Sequence, residues 1–222
     1  IYDKPYLQML TFTLSCLSIL NEISSNPLED HTNNLFSKIE TSDYLENIKA
    51  FEGKPGSGNF SMFFCIIEIH NSLFFKNSKK KINEWVKLHI KNMNKNGFWG
   101  KDSQNPYIQF QNGYHQYEIF DYLNIGGDFW GKAGDFVSSI ADNQGNFSPY
   151  PGGSGCYNYD AIFFLTSRFV DNEKYNEILL RLYEFTIKDI NSDGGFSESN
   201  LFRPYNLRRI KYLISFLFKN NK

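Results

Sequence analysis

Gly97-Phe98 is repeated twice in related form along this chain of 222 residues, as Asn146-Phe147 and as Gly195-Phe196. The three phenylalanines, at positions 98, 147 and 196, are 49 residues apart both times. A fixed period of this size is typical of a unit of two stacked helices. The repeat therefore predicts an all-α protein built from helical hairpins.

A partial copy lies within this repeat. Gly113-Tyr-His-Gln-Tyr-Glu118 and Gly155-Cys-Tyr-Asn-Tyr-Asp160 align as a glycine, an aromatic-rich turn, a tyrosine and an acid. Each segment follows a loop rich in glycine or asparagine and opens an apolar helix. The alignment predicts that Glu118 and Asp160 occupy equivalent places at the starts of neighbouring helices.

Apolar residues spaced three and four apart predict eight long helices. These span residues 5–22, 59–75, 80–94, 113–124, 128–142, 155–169, 172–190 and 204–219. Residues 24–58 are less regular and leave room for short helices at 32–39 and 43–49. One set of long helices is strongly aromatic and a second set carries charge on one face, which is typical of inner and outer helices.

Alternating inner and outer helices predict an α/α toroid or a partial toroid. We expect one domain over residues 1–222, with a less regular part at 1–57 and repeating hairpins at 58–222. The chain begins with Ile1 and not with Met, as is expected of a fragment of a longer chain or of a processed protein.

Gly194-Gly195-Phe196, and Gly155-Cys156-Tyr157 about ten residues after a Gly-x-Phe turn, carry a resemblance to a known group. From about residue 58 to 219 the repeats resemble those of the terpenoid-cyclase and protein-prenyltransferase toroids. Those toroids close with more helix pairs than the four or so counted here. The resemblance implies an open ring, a ring completed by another segment, or a ring that is built differently.

The same resemblance implies a zinc site, and the residues do not match it. Prenyltransferases place an Asp two residues before a Cys and a His on a later helix. Here Ser154 precedes Cys156, and no His follows that cysteine. The Asp-rich run of terpene cyclases is also missing from this sequence. We therefore expect no metal and no cofactor.

The net charge and the apolar runs of the sequence argue against a nucleic-acid-binding or membrane-spanning protein, and the cysteines indicate its redox setting. The net charge of −1 offers no basic surface for nucleic acid or for an anionic membrane. No run reaches the roughly eighteen uncharged apolar residues that a membrane helix needs. Cys16, Cys65 and Cys156 are widely spaced and favour a reducing, cytoplasmic setting. We expect Cys16 and Cys65 to be small buried residues of helices.

The candidate catalytic residues follow loops that lead into predicted inner helices; they are His115, Glu118, Tyr157 and Asp160. The candidate ligand-binding side chains are aromatic, amide or basic; they are Trp99, Tyr114, Gln116, Tyr150, Asn158, Arg203 and Arg208. His115 and Glu118 are three residues apart and share a helix face. An acid in a first helical turn also has a structural explanation, because it stabilises the positive end of the helix dipole.

These side chains suit carbohydrate chemistry. Tyr and Trp rings stack on sugars, amides bind sugar hydroxyls, and two carboxylates divide acid and base roles. In a hydrolase Glu118 is the general acid, and Asp160 is the base or orients the substrate. In a lyase Tyr157 or His115 takes a proton next to a uronate carboxylate, which Arg208 neutralises.

Two other classes stay open. A non-catalytic domain that binds a glycan or a protein would use the aromatic residues for contact alone. An isoprenoid-handling enzyme is the third class. Cys156 with His115 as its base is a further arrangement, for nucleophilic catalysis. The expected partner is a small molecule or an oligosaccharide, and the apolar flanks of an open ring favour self-association or a partner chain.

Overall fold

The computed structural model describes residues 3–20, 29–149, 155–169, 172–188 and 190. Across these residues it contains nine α-helices and no β-strand, which confirms the prediction of an all-α protein. In chain order they are α1 Lys4–Ile19, α2 Glu29–Phe36, α3 Thr41–Asn47, α4 Ser57–Asn71, α5 Lys76–Lys91, α6 Pro106–Tyr122, α7 Phe129–Ser139, α8 Gly155–Ser167 and α9 Glu173–Ile187. None of the helices in these ranges combines the length and the apolar character that crossing a membrane requires.

Most predicted helices match the observed ones to within a few residues, and α6 is the exception. It begins at Pro106, whereas the apolar spacing predicted a start at residue 113. Asn105 caps α6, since its side-chain oxygen accepts a hydrogen bond from the N–H of Tyr107 at 2.9 Å, and proline suits a first helical turn. The added turns are rich in glutamine and asparagine, which interrupt the apolar period. The helix predicted at 204–219 lies outside the described residues.

The chain divides into two compact units, Ile1–Ala133 and Gly134–Lys222. In the first unit α4 is the central helix. Helices α1, α2, α5 and α6 each pack against α4, and α3 packs against α5. The expectation of one domain over residues 1–222 stays a prediction.

Helices α4 and α5 differ in how they are buried. Buried residues lie on nearly all sides of α4, from Ser57 at its start to Asn71 at its end. Helix α5 buries a single stripe of side chains: Ser78, Ile82, Trp85 and His89. The sequence predicted that strongly aromatic helices are buried on all sides and that helices with a charged face are buried on one side only. This prediction is confirmed for α4 and α5.

Helices α4 and α6 approach each other closely at Gly58. A Cβ atom on Gly58 would lie 1.9 Å from the backbone oxygen of Asn112, so the contact requires glycine. The Asn112 side chain also holds the loop before α4. Its Oδ1 accepts the N–H of Gly56 at 2.9 Å, and its Nδ2 donates to the oxygen of Gly53 at 3.3 Å. These bonds place the first turn of α4 against the middle of α6.

The repeated turn has the same hydrogen bonds in the two copies that the structure describes, residues 94–98 and 142–146. The first side chain, Asn94 or Asp142, accepts the N–H of the residue four positions later through its Oδ1, at 3.1 Å and 2.9 Å. The residue that precedes the donating N–H is a glycine in both copies, Gly97 and Gly145. Both have a left-handed backbone conformation, with φ of 79° and 83°. The two turns are therefore one structural motif.

This pattern corrects the alignment of the repeat by one residue. Phe98 corresponds to Asn146, so the residue that corresponds to Phe147 is Trp99 and not Phe98. Both Trp99 and Phe147 are buried. Residues 191–196 share the spacing Asn-x-x-Gly-x-Phe in the sequence, and they lie outside the described residues.

The described part of the second unit includes α8 and α9, which pack against each other. Helix α9 buries one stripe of side chains: Tyr175, Ile178, Leu182 and Phe185. The turn at 142–146 lies against this helix, because a Cβ atom on Gly145 would be 2.7 Å from the backbone nitrogen of Leu182. The prediction that α9 has one apolar and one charged face is confirmed.

Candidate functional site

The predicted residues Tyr114, His115 and Glu118 form one cluster on α6. Nδ1 of His115 lies 2.9 Å from Oε2 of Glu118. The other carboxylate oxygen, Oε1, accepts a hydrogen bond from the Tyr114 hydroxyl at 2.8 Å. The three side chains meet because positions three and four apart are neighbours on a helix surface. We call them the His115–Glu118 cluster.

Hydrogen bonds around the cluster determine which nitrogen of His115 carries the proton. A carboxylate only accepts, so Nδ1 donates to Glu118. Nε2 lies 3.0 Å from the amide nitrogen of Asn59, which only donates, so Nε2 accepts and has no proton. Lys4 orients that amide, since its ammonium donates to Oδ1 of Asn59 at 3.3 Å. The imidazole is therefore neutral and has a basic lone pair on Nε2.

The cluster is open to ligands on part of its surface. The side chains of His115 and Glu118 are 23% and 34% exposed, whereas Tyr114 is 1% exposed. The buried tyrosine and the well-packed α4–α6 contact hold the carboxylate in place. The exposed edge of the imidazole and the carboxylate remain within reach of a bound molecule.

Neither predicted acid stabilises a helix dipole. Glu118 lies twelve residues after Pro106, the start of α6, and the first turn of that helix holds no acid. Asp160 lies five residues after Gly155, and the first turn of α8 holds none either. Dipole stabilisation falls off within the first turn. The structural explanation offered by the sequence is therefore wrong for both acids.

Each repeated turn is held by an amide side chain of the helix that follows it. Nδ2 of Asn94 donates to Oε1 of Gln109 on α6 at 3.0 Å. Oδ1 of Asn158 on α8 accepts the N–H of Phe147 at 3.0 Å, and its Nδ2 donates to the side chain of Asn146 at 3.0 Å. Both ends of the Asn158 amide bind the turn, so this side chain holds the turn, and its ligand-binding role stays a prediction.

Glu118 and Asp160 do not lie at equivalent places at the starts of their helices. Glu118 lies twelve residues after the start of α6, whereas Asp160 lies five residues after the start of α8. The alignment of residues 113–118 with residues 155–160 therefore does not give the two acids the same position along their helices.

Two further predicted ligand-binding residues lie in the core of the first unit. Trp99 is 2% exposed, and its Nε1 donates to the backbone oxygen of His89 at 2.9 Å. Gln116 is also 2% exposed, and its Nε2 donates to the oxygen of Gly58 at 3.3 Å. The Trp99 side chain is thus part of the core packing. Among the described residues, Oε1 of Gln116 has no hydrogen-bond partner, so the ligand-binding role of Gln116 stays a prediction.

The remaining predicted residues belong to the second unit. Tyr157 is buried on α8, and Asp160 lies partly exposed on the same helix. Their catalytic roles stay predictions. Tyr150, Arg203 and Arg208 lie outside the described residues.

The cysteines differ in part from expectation. Cys65 is buried, as predicted. Cys16 is exposed, which contradicts the prediction, because α1 buries a different face, that of Leu7, Leu10 and Leu14. Cys156 is exposed as well. Over the part of the chain that the structure describes, no three His, Cys, Asp or Glu side chains are grouped to hold a metal ion.

A polar cavity that the sequence did not predict lies at the other end of α4. Its volume is about 460 Å³, and residues from α2, α4 and α5 line it. Glu68 of α4 is 3% exposed, with Oε1 3.7 Å from the ammonium of Lys81. Burial raises the pKa of Glu68, while hydrogen bonds from Ser78 and Lys81 oppose that rise. One signal was available in the sequence, since Glu68 is the lone acid of the apolar run 60–69.

Comparison with known proteins does not assign this chain to a family. No protein-family model, no curated protein and no solved structure matches it.

Proposed function

We propose that this protein is a carbohydrate-active enzyme of the lyase type, in which His115 is the general base. One observation carries the proposal. His115 is held as a neutral imidazole with its lone pair on Nε2, because Glu118 accepts the proton of Nδ1 at 2.9 Å. A neutral histidine backed by a carboxylate is a common general base.

The reaction is a β-elimination in a uronate-containing chain. Nε2 of His115 removes the proton on the carbon next to the uronate carboxylate. The electron pair of that C–H bond forms a C=C bond as the glycosidic C–O bond breaks, and the leaving oxygen takes a proton from water. Glu118 stabilises the imidazolium that forms. The substrate displaces the Asn59 amide from Nε2.

The contacts of Glu118 favour a lyase over a hydrolase. Both of its oxygens accept hydrogen bonds, from the Tyr114 hydroxyl and from Nδ1 of His115. Both oxygens are thus engaged within the protein, whereas the general acid of glycoside hydrolysis must reach the oxygen of the leaving group. The hydrolase role predicted for Glu118 is therefore the less favoured one.

A panel of uronate-containing polysaccharides tests this function. The unsaturated product of a lyase absorbs ultraviolet light, so turnover is followed directly, with new reducing ends as a second readout. We expect His115→Gln to lower the rate about a hundredfold or more, the usual worth of a general base. The matched control is His31→Gln, which changes an exposed histidine of α2.

Two results would count against the lyase. One is reducing ends without ultraviolet absorbance, which would indicate a hydrolase. The other is glycan binding without any turnover, which would indicate the non-catalytic binding domain. Equal rates for His115→Gln and the parent would remove His115 from the mechanism.

We also propose that the helical hairpins belong to a toroid-like repeat, and that the protein works in a reducing, cytoplasmic setting. The shared bonding of the turns at 94–98 and 142–146 supports the repeat. The exposed thiols of Cys16 and Cys156 support the reducing setting, in which such thiols persist.

A further inference from the structure

We infer that the cavity at the end of α4 is a binding site for a neutral polyhydroxylated molecule, of the size and chemistry of a sugar. This inference goes beyond the proposed reaction and does not rest on it. The cavity volume of about 460 Å³ lies within the range typical of small-molecule sites.

The lining of the cavity includes Asn71, whose side-chain oxygen is a buried acceptor without a hydrogen-bond partner among the described residues. Asn71 is 2% exposed, and its Nδ2 donates to the backbone oxygen of Thr32 at 3.3 Å. That bond sets the orientation of the amide, because the opposite orientation would bring two acceptors together. Within the described part of the chain, Oδ1 of Asn71 has no hydrogen-bond partner. A buried acceptor of this kind is satisfied by a donor on a ligand.

A second buried acceptor lies on the same face of α4. Glu68 and Asn71 are three residues apart, so they are neighbours on the helix surface. Glu68 forms an ion pair with Lys81, with Oε1 3.7 Å from the ammonium, which also donates to the backbone oxygen of Phe36. The carboxylate is therefore already paired. It suits hydrogen bonding to a ligand rather than acid–base chemistry.

The charges in the lining of the cavity nearly balance, with three carboxylates and two ammonium groups. A cation would meet Lys80 and Lys81, both of which line the cavity and the second of which already neutralises Glu68. An anion would meet the carboxylates of Glu68, Glu40 and Glu84. A neutral molecule with hydroxyl groups avoids both repulsions, because each hydroxyl donates to an acceptor and accepts from a donor.

An aromatic residue in the lining, Phe75, favours a sugar among neutral polyhydroxylated ligands. Phe75 is half-buried at the cavity and offers an aromatic ring. The C–H faces of a sugar ring pack on an aromatic surface while its hydroxyls bind polar groups. A sugar requires hydrogen-bond acceptors, hydrogen-bond donors and a ring surface. The cavity supplies acceptors on α4, ammonium donors on α5 and the ring of Phe75.

The cavity at the end of α4 and the His115–Glu118 cluster on α6 are separate sites. Asn59, which contacts His115, and Glu68 are nine residues apart on this helix, which is about 13 Å at 1.5 Å per residue. Binding at the cavity can therefore be measured whether or not the protein turns over a polysaccharide.

Titration calorimetry of the full chain with neutral sugars tests the site. Glucose, galactose, mannose and xylose are the probes, with putrescine and inorganic phosphate as the cationic and anionic comparisons. We expect heat of binding for at least one sugar and none for the two charged probes. Asn71→Ala should weaken that binding about tenfold or more, the effect of losing a hydrogen bond to a buried group.

Matched variants keep the test decisive. Asn92→Ala changes an exposed asparagine at the end of α5 and should bind the sugar as the parent does. If Asn71→Ala fails to fold by circular dichroism, Phe75→Ala takes its place with the same expected weakening. The inference is wrong if no sugar binds, if a charged probe binds in its stead, or if the folded cavity variants bind sugar normally.

Discussion

His89 is a wholly buried histidine that carries no charge in the folded protein. Its Nδ1 lies 2.8 Å from the backbone oxygen of Trp85 and donates to it, and its Nε2 lies 2.9 Å from the Ser61 hydroxyl and accepts from it. The oxygen of that hydroxyl in turn accepts Nε1–H of Trp85 at 3.0 Å. Every polar atom of the ring is satisfied in its neutral form. Burial lowers the pKa of His89 to about 3.

The folded protein should therefore lose stability as the pH falls below about 6.5, the pKa of an unfolded histidine. From there down to the folded pKa of about 3, the unfolded chain binds one more proton at this residue. The contribution of His89 to the free energy of unfolding then falls by about 1.4 kcal/mol per pH unit. We expect His89→Gln to remove this dependence, as measured by guanidinium unfolding between about pH 6 and pH 4.

The test compares the parent and His89→Gln by the slope of the free energy of unfolding against pH, because other groups titrate in the same pH range. Burial raises the pKa of Glu68, so the folded state binds the extra proton there and the effect of Glu68 on stability has the opposite sign. His31→Gln, at an exposed histidine, is the control and should keep the parent slope. An unchanged slope in His89→Gln would show that the ring is not buried in its neutral form.

At the scale of elements, the α4–α6 contact at Gly58 controls both sites. It places Asn59 beside His115, and it holds α4, whose far end lines the cavity. A methyl group at Gly58 would lie 1.9 Å from the backbone oxygen of Asn112. A backbone atom cannot relieve this clash by a change of rotamer, as a side chain could.

Gly58→Ala should lower the free energy of unfolding by about 1–3 kcal/mol, the usual cost of overpacking a core. Thermal and guanidinium unfolding measure this change. Gly131→Ala is the matched control, since Gly131 also lies in a helix, α7, and a methyl group there would meet nothing within 4 Å. That substitution should be neutral or stabilise by up to about 1 kcal/mol. Equal effects of the two changes would argue against a close α4–α6 contact.

Elements also show where sequence patterns succeed. The charged face of α5 and the apolar surface of α4 were both predicted correctly, because burial of apolar side chains follows helical spacing. The start of α6 was missed, since Gln109 and Asn112 are polar residues buried by hydrogen bonds to the turn at 94–98 and to the loop before α4. Spacing of apolar residues has no means of reporting such bonds.

At the scale of the whole molecule, the first compact unit has a core of its own. This core includes the stacking of Trp85 on His89, with ring centroids 3.8 Å apart. It also includes the packing of Trp99 against Phe120. The boundary between the units, after Ala133, falls inside α7. A fragment that contains the first unit must therefore include all of α7.

We expect residues 1–141 expressed alone to fold with a cooperative thermal transition, since a compact unit with its own core can fold independently. Far-ultraviolet circular dichroism should report helix, and near-ultraviolet dichroism should report the packed tryptophans. A fragment with helix and no near-ultraviolet signal would show that the core of this unit depends on the rest of the chain.

The candidate site was predicted in part. His115 and Glu118 came from their spacing of three on a helix, and the structure brings them to 2.9 Å. Asn59 and Lys4 were not predicted, because they reach the cluster from α4 and α1, far away in the sequence. Trp99 and Asn158 were chosen for their residue types, and the structure uses both to hold turns and core. Residue type alone does not distinguish an amide that binds a ligand from one that binds a turn.

The sequence by itself determined that the chain is helical, where most helices lie and that α4 is buried on nearly all sides, because these properties follow from local propensity and apolar spacing. It did not determine the burial of α8, which was expected to be buried all round and buries one stripe of side chains. The tertiary structure alone decided the proton position on His115, the register of the repeated turn and the cavity around Glu68 and Asn71. Each of these depends on hydrogen bonds between residues distant in the sequence, whose partners are set by how the helices pack.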